Sequence, residues 1–275
     1  MSAATQATPR VESSVSPVSG FGHLLRSEWT KIRSVRSTYW SLFAAVVATV
    51  GVAALICSVY IGRYSHVNPN DRADFNPTQF SLNGLNLAQL AVGVLGVLVI
   101  SGEYGTGMIR ATFTAVPQRR RVLAAKAAVF AATAFVVGTV ASFVAYFVGQ
   151  AILAGKGLES SMGDPGVLRA VIGGGLYLAV LGLLALGLGA IIRVSAGAIS
   201  ALFGVLFVLP VVTNFLPSSW QDTISPYLPS EAGRQIFLVR HEAHALSPWG
   251  GFGVFCLYAA ISLAVAAVLI TRRDA

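Results

Sequence analysis

The chain has 275 residues, of which 55% are hydrophobic and 11% charged, and its mean hydropathy is +0.71. A soluble globular domain carries about 25% charged residues, so this composition excludes an ordinary cytosolic enzyme, a disordered chain and a nucleic-acid-binding domain. The net charge of +8 is therefore read by its position along the chain and is assigned no nucleic acid partner.

Residues 1–20 are rich in Ser, Thr, Ala and Pro. They bury too little apolar surface to order themselves and are expected to form a flexible cytosolic tail. The first long apolar run starts near Tyr39, too late and too long for a cleavable signal peptide. Before it, FGHLLRSEWTKIRSVRSTYW sets Phe21, Leu24, Leu25, Trp29, Ile32 and Val35 at helical spacing on one face, with His23, Arg26, Thr30, Lys31 and Arg33 on the other. This predicts a basic amphipathic helix over residues 21–37 lying in the membrane interface. Glu28 intrudes on its apolar arc. The helix either only anchors the topology or also touches a cytosolic partner.

Six stretches free of Asp, Glu, Lys, Arg and His follow: Tyr39–Ile61, Leu82–Ile100, Ala127–Leu153, Ala170–Ile192, Ala196–Leu216 and Trp249–Ile270. Each is near the length of about 20 residues that crosses a bilayer core as a helix. A charge at a span centre costs about 2.5–3.5 kcal/mol on insertion scales, which keeps charges outside these runs. Continuous apolarity, rather than alternation over about ten residues, predicts helices and not a barrel. The expected fold is all-α: a polytopic six-helix transmembrane domain over residues 38–275. Tyr39 and Trp40 mark the start of the first span as interfacial aromatics do. Of the 19 Lys and Arg, 13 fall in the tail, the second-to-third loop, the fourth-to-fifth loop and the C-terminus. The positive-inside rule then puts both termini in the cytoplasm, as an even number of spans requires. Cys57 and Cys256 lie in apolar runs and read as small core residues.

The loop Ser101–Lys126 has Glu103 at a span end, then a Gly105-Thr106-Gly107 turn. Met108–Ala115 reads as a short helix with Ile109, Phe113 and Val116 on one face and Arg110 beside them, and Pro117 ends it. Arg119, Arg120, Arg121 and Lys126 open the next helix. The charges alone hold a loop in the cytosol, but an apolar face on a turn-bounded helix suits a plug for a socket on another protein. Within the spans, Asn86 and Gln89 share a face of the second, and Thr213 and Asn214 lie near the end of the fifth beyond Pro210. These polar residues fit helix–helix hydrogen bonds or the lining of a pathway. The glycines of the fourth span read as packing positions. In the outer loop 217–248, Ser230 is placed to cap a helix from Glu231 to about Val239.

The segments SEWTKIRSVRSTYW and SGEYGTGMIRATFTAVPQRRRVLAAK together resemble membrane subunits of ABC-2-type transporters, particularly the actinobacterial kind. The resemblance runs from about Phe21 to the C-terminus. It implies a half-transporter with an amphipathic connecting helix (Leu25, Glu28, Trp29, Lys31, Arg33), a coupling helix at about Thr106–Val116, and short outward or re-entrant helices between the last two spans. Gly105, Thr106, Gly107, Ile109, Arg110 and Phe113 would then meet an ATPase, with Glu103 and Pro117 shaping the element. The second and fifth spans would flank the central cavity, giving Asn86, Gln89, Phe203, Phe207 and Asn214 as candidates for a substrate path. The resemblance further implies a cell-membrane location, a separate cytosolic nucleotide-binding subunit that carries ATP and Mg, no cofactor on this chain, and a second permease copy or paralogue.

No GxxxxGK[ST], HExxH or GxSxG occurs, and no span holds paired carboxylates. His241 and His244, in HEAH, have the wrong spacing for the metalloprotease motif. ATP hydrolysis and other catalysis are therefore not expected on this chain, and a membrane-embedded enzyme is disfavoured. The absence of ionisable residues in the spans argues against an ion-coupled carrier. The expected function is the permease half of an exporter for a small, lipid-like or drug-like molecule. The rival is a regulatory or immunity-type scaffold that binds an ATPase and has no pathway.

Overall fold

The computed structural model describes residues 20–66, 68, 72, 75–240 and 245–273. The expected N-terminal tail, apart from Gly20, and the pair His241 and His244 lie outside the described residues. Among those described, the order is α1 (Phe21–Ser34), α2 (Arg36–Arg63), α3 (Pro77–Leu82), α4 (Leu85–Gly105), α5 (Met108–Ala115), α6 (Arg119–Leu153), α7 (Val167–Ile192), α8 (Ser195–Phe203), a π-turn (Gly204–Val208), α9 (Leu209–Thr213), α10 (Ser218–Ile224), α11 (Pro229–Arg234) and α12 (Pro248–Arg272), with no strand. Six helical stretches are long and apolar enough to cross a membrane, one for each predicted span.

The fourth span, α7, is the axis of the bundle. Of its most apolar window 72% is buried, more than in any other of the six spans among the described residues; the second span follows at 61% and the first has 22%. It packs on α4, α6 and α12. Small residues permit this closeness, because helices inside a bilayer gain little from hydrophobic burial and associate through contact. A Cβ added at Gly189 would lie 2.9 Å from the Val97 carbonyl oxygen of α4, and one at Gly173 would lie 2.5 Å from the Ile236 carbonyl oxygen. At the outer faces, α2 turns only Thr38, Ala45, Thr49, Ala53 and Cys57 inward. Trp40, Phe43 and Leu55 stay exposed on its other sides, as a lipid-facing helix requires.

Three predicted elements take a different form. The second span is broken at Asn83-Gly84 between α3 and α4, where Gly84 abuts the Thr49 backbone of α2 too closely for a side chain. The fifth span is not one continuous α-helix. Pro210 lacks the N–H its turn would donate and its ring crowds the preceding turn, and the chain widens into the π-turn before α9. The helix expected over Glu231–Val239 is displaced and shorter: Pro229 starts it two residues earlier, after Leu228 as N-cap, and it stops at Arg234. Ser230 is thus inside the helix rather than its cap. The following residues, Ile236, Phe237 and Leu238, bury in the core. Arg169 holds them there, its guanidinium donating to the carbonyls of Gln235, Ile236 and Leu238 at 3.2, 2.9 and 2.9 Å.

The glycine argument predicts opposite effects for one substitution at two helical sites. Gly189→Ala overpacks the α4–α7 contact and is expected to lower stability by about 1–3 kcal/mol. Gly253→Ala in α12 meets open space and is expected to raise stability by up to about 1 kcal/mol through helix propensity. Thermal midpoints of the purified variants in detergent check both.

Candidate functional site

At the end of the bundle where α1 joins the spans, four charged side chains meet. Lys126, in the second turn of α6, places Nζ 2.7 Å from Glu28 Oε2 and 2.8 Å from Glu103 Oε1. Lys31 Nζ lies 2.8 Å from Glu28 Oε1 and 3.0 Å from Glu103 Oε1. The Glu28, Glu103 and Lys126 side chains are 6%, 6% and 3% exposed, whereas Lys31 is 29% exposed and forms the wet edge of the cluster. Buried charges persist only when paired and hydrogen-bonded. The two acids and two bases cancel, so the cluster is neutral as a unit. It joins α1 to the last turn of α4 and the first turns of α6.

Glu28 is the residue that spoiled the apolar arc of α1. The structure gives the reason: α1 turns Leu24 and Glu28 inward. Trp29, expected on the same apolar face, is instead 50% exposed. Of the connecting-helix residues, Leu25 is half-buried and Arg33 is exposed. Lys126, which the sequence shows only as one of the cations opening the third span, is the partner that both acids share. Burial by itself would lower the pKa of Lys31, but hydrogen bonds and charge from Glu28 and Glu103 outweigh it and hold the ammonium above its ordinary 10.5.

The short helix α5 hangs beside this cluster. Gly107, with φ +72°, turns the chain in the left-handed region that favours glycine. Val116 is extended before Pro117, which stops the helix as expected. Ile109 and Phe113 are 2% and 8% exposed and pack into this chain's own core, so that face is occupied. Arg119 lies over the Phe113 ring at 5.2 Å and donates to the Ile270 carbonyl at 3.0 Å, tying α5 and α6 to the end of α12. The outward surface consists of Gly105, Thr106, Gly107, Met108, Arg110 and Thr114, with Pro117 at its end. Between α1 and α5 lies a cavity of about 270 Å³, lined by Leu24, Ser27, Ala111 and Val116, with Glu28 and Lys31 at its wall.

The five pathway candidates lie on the second span and on the fifth span with the turn that follows it. Gln89 is buried and accepts a hydrogen bond from the Tyr177 hydroxyl of α7. Asn86 makes a long 3.4 Å contact with Asn83. Phe203 and Phe207 meet edge to face at 5.9 Å across the π-turn, with Phe207 40% exposed. Asn214 is exposed and accepts from Gln221 at 3.1 Å.

Residues 24–215 match the family described as ABC-2 family transporter protein. No curated protein matches the chain.

Two variants test the cluster. Lys126→Met leaves Glu28 and Glu103 buried with Lys31 alone, and is expected to destabilise by roughly 3–5 kcal/mol, read by denaturation in detergent. Lys31 has a raised pKa in the folded state, so its contribution is complete below the unfolded value of 10.5 and falls away as pH rises through the higher folded value. Thermal midpoints of wild type and Lys31→Met should therefore differ at neutral pH and converge at strongly alkaline pH.

Proposed function

The chain belongs to the ABC-2 family of transporter proteins, and from that premise we propose that it forms the pathway half of an exporter driven by a separate ATPase. It is a multi-pass membrane protein and a permease component of an ABC transporter. The ATPase would bind and hydrolyse ATP with Mg, and a second copy of the chain or a paralogue would complete the transporter. Both termini, α1 and α5 would face the cytoplasm at the cell membrane, where the excess of Lys and Arg lies. The cargo would be small and apolar in character, because ionisable groups are missing from the span centres.

The ion cluster is the observation that carries this reading. Closure of the ATPase subunits would push on the outward surface of α5 and on α1. Moving α1 away from α4 or α6 separates opposite charges where water is scarce, which is costly. The push is therefore delivered to the second and third spans as a unit, rather than dissipated at the α1–α2 junction. Arg119 carries it further, to the end of α12. The spans then exchange between inward-facing and outward-facing packings. No step of catalysis is assigned to this chain.

The test is co-expression with the ATPase of the same transporter. Arg110→Glu, on the exposed surface of α5, is expected to leave membrane levels unchanged and to lower recovery of the ATPase by about tenfold, as loss of a charge-assisted contact worth about 1.5 kcal/mol would. Crosslinks from positions 106, 110 and 114 should reach the ATPase, and their joint absence overturns the assignment. Stimulated ATP turnover with no movement of cargo in proteoliposomes would instead support the scaffold reading.

A further inference from the structure

On α1, Arg26, Trp29 and Arg33 follow one another at i, i+3 and i+7 and so form a stripe along one side of the helix. All three are exposed. Lys31 is engaged with two carboxylates. Neither the Arg26 nor the Arg33 guanidinium has a hydrogen bond or ion pair to the chain among the described residues.

Trp29 stands as a ridge between two apolar grooves. One, of about 460 Å³, runs over Leu25, Ala128, Val129 and Ala132 and has Arg26 at its edge. The other, of about 350 Å³, runs over Ile32, Tyr39, Phe43 and Val137 and has Arg33 at its edge. Each groove therefore pairs an apolar floor with a single cation. The floors rest on α6 just beyond Lys126, where its charge-free run starts at Ala127. From Lys126 the helix rises by about 10 Å to Thr133 and about 16 Å to Val137, which would set the grooves from the headgroup boundary into the outer acyl region.

We propose that α1 and the first turns of α6 hold one anionic phospholipid astride Trp29, with its phosphate between Arg26 and Arg33 and one acyl chain in each groove. The stripe supplies positive charge with no internal partner, and a headgroup of net negative charge is its complement. Arginine suits phosphate because its planar fork donates two parallel hydrogen bonds. The Trp29 ring at the headgroup level offers an apolar body to the chains and a polar edge to the glycerol region. The bound lipid would brace α1 on the side opposite the ion cluster, so that α1 is fixed to the bundle by protein charges inward and by lipid outward. The site rests on the membrane location of the chain and not on any ATPase, so the two proposals fail separately.

The experiment is tryptophan quenching in vesicles of phosphatidylcholine doped with brominated phosphatidylglycerol or, in parallel, brominated phosphatidylcholine. The Trp29 signal is isolated by subtracting the Trp29→Phe protein. Quenching of Trp29 should favour phosphatidylglycerol, and each of Arg26→Gln and Arg33→Gln should lower the apparent lipid affinity by about fivefold. Both side chains are exposed, so these variants are expected to fold. Arg120→Gln with Arg121→Gln, two exposed arginines outside the stripe, should leave the preference intact. Equal quenching by the two lipids, a preference that survives the Arg26→Gln/Arg33→Gln double variant, or an equal loss with Arg120→Gln/Arg121→Gln would each overturn the site.

Discussion

A charge removed from water must find an opposite charge or it does not stay charged. That constraint organises one whole end of this molecule. Glu28, Glu103 and Lys126 come from three different helices and are all nearly sealed from solvent. None is tolerable there alone, so α1, α4 and α6 fix one another's positions. The cluster adds little net stability over an apolar substitute of the same shape, as buried ion pairs commonly do. What it supplies is registry: one arrangement of α1 on the spans is far better than its neighbours. For the proposed transport cycle, registry matters more than stability, because a lever has to be attached at a definite point.

The middle of the bundle is held by a different principle. There the small residues of α7 admit backbone and large side chains of its neighbours, with Gly182 against the Phe130 ring and Gly189 against the Val97 backbone and the Ile100 side chain. Polar contacts are few and specific, such as Tyr177 to Gln89 and Gln150 to Ser81. At the far end, Arg169 gathers three carbonyls and draws the segment after α11 into the core. The bundle around α7 is thus charge-locked through α1, α4 and α6 at one end and held by Arg169 of α7 at the other. The helices with broad exposed apolar faces, α2 and α12, stand around the α7 axis.

Much of this was legible in the residues. The number of spans, their order and the short helix stopped at Pro117 follow from hydropathy and from proline, which act locally. The glycines of α7 were readable as packing positions for the same reason. Pairings were not legible. Glu28 looked like a flaw in an amphipathic face because its partner lies 98 residues away. Ile109 and Phe113 were expected to face a partner protein, since periodicity shows that a face is apolar but not what covers it. Gln89 could bond a helix or line a path, and the sequence did not show that its bonding partner is Tyr177, 88 residues away. The π-turn shows the limit within a span: Pro210 announces a disturbance, but the residue pattern does not say that the chain will widen over Gly204–Val208 rather than kink.

The long reach of Lys126 has a consequence for biosynthesis. With synthesis at about 5–20 residues per second, roughly 5–20 s pass between the emergence of Glu28 and that of the lysine it will share. In that interval Lys31, one turn along, is the cluster cation already at hand. The same local lysine that forms the wet edge of the finished cluster thus serves first as a temporary counterion, keeping the leading helix at the water boundary until the third span arrives to claim it.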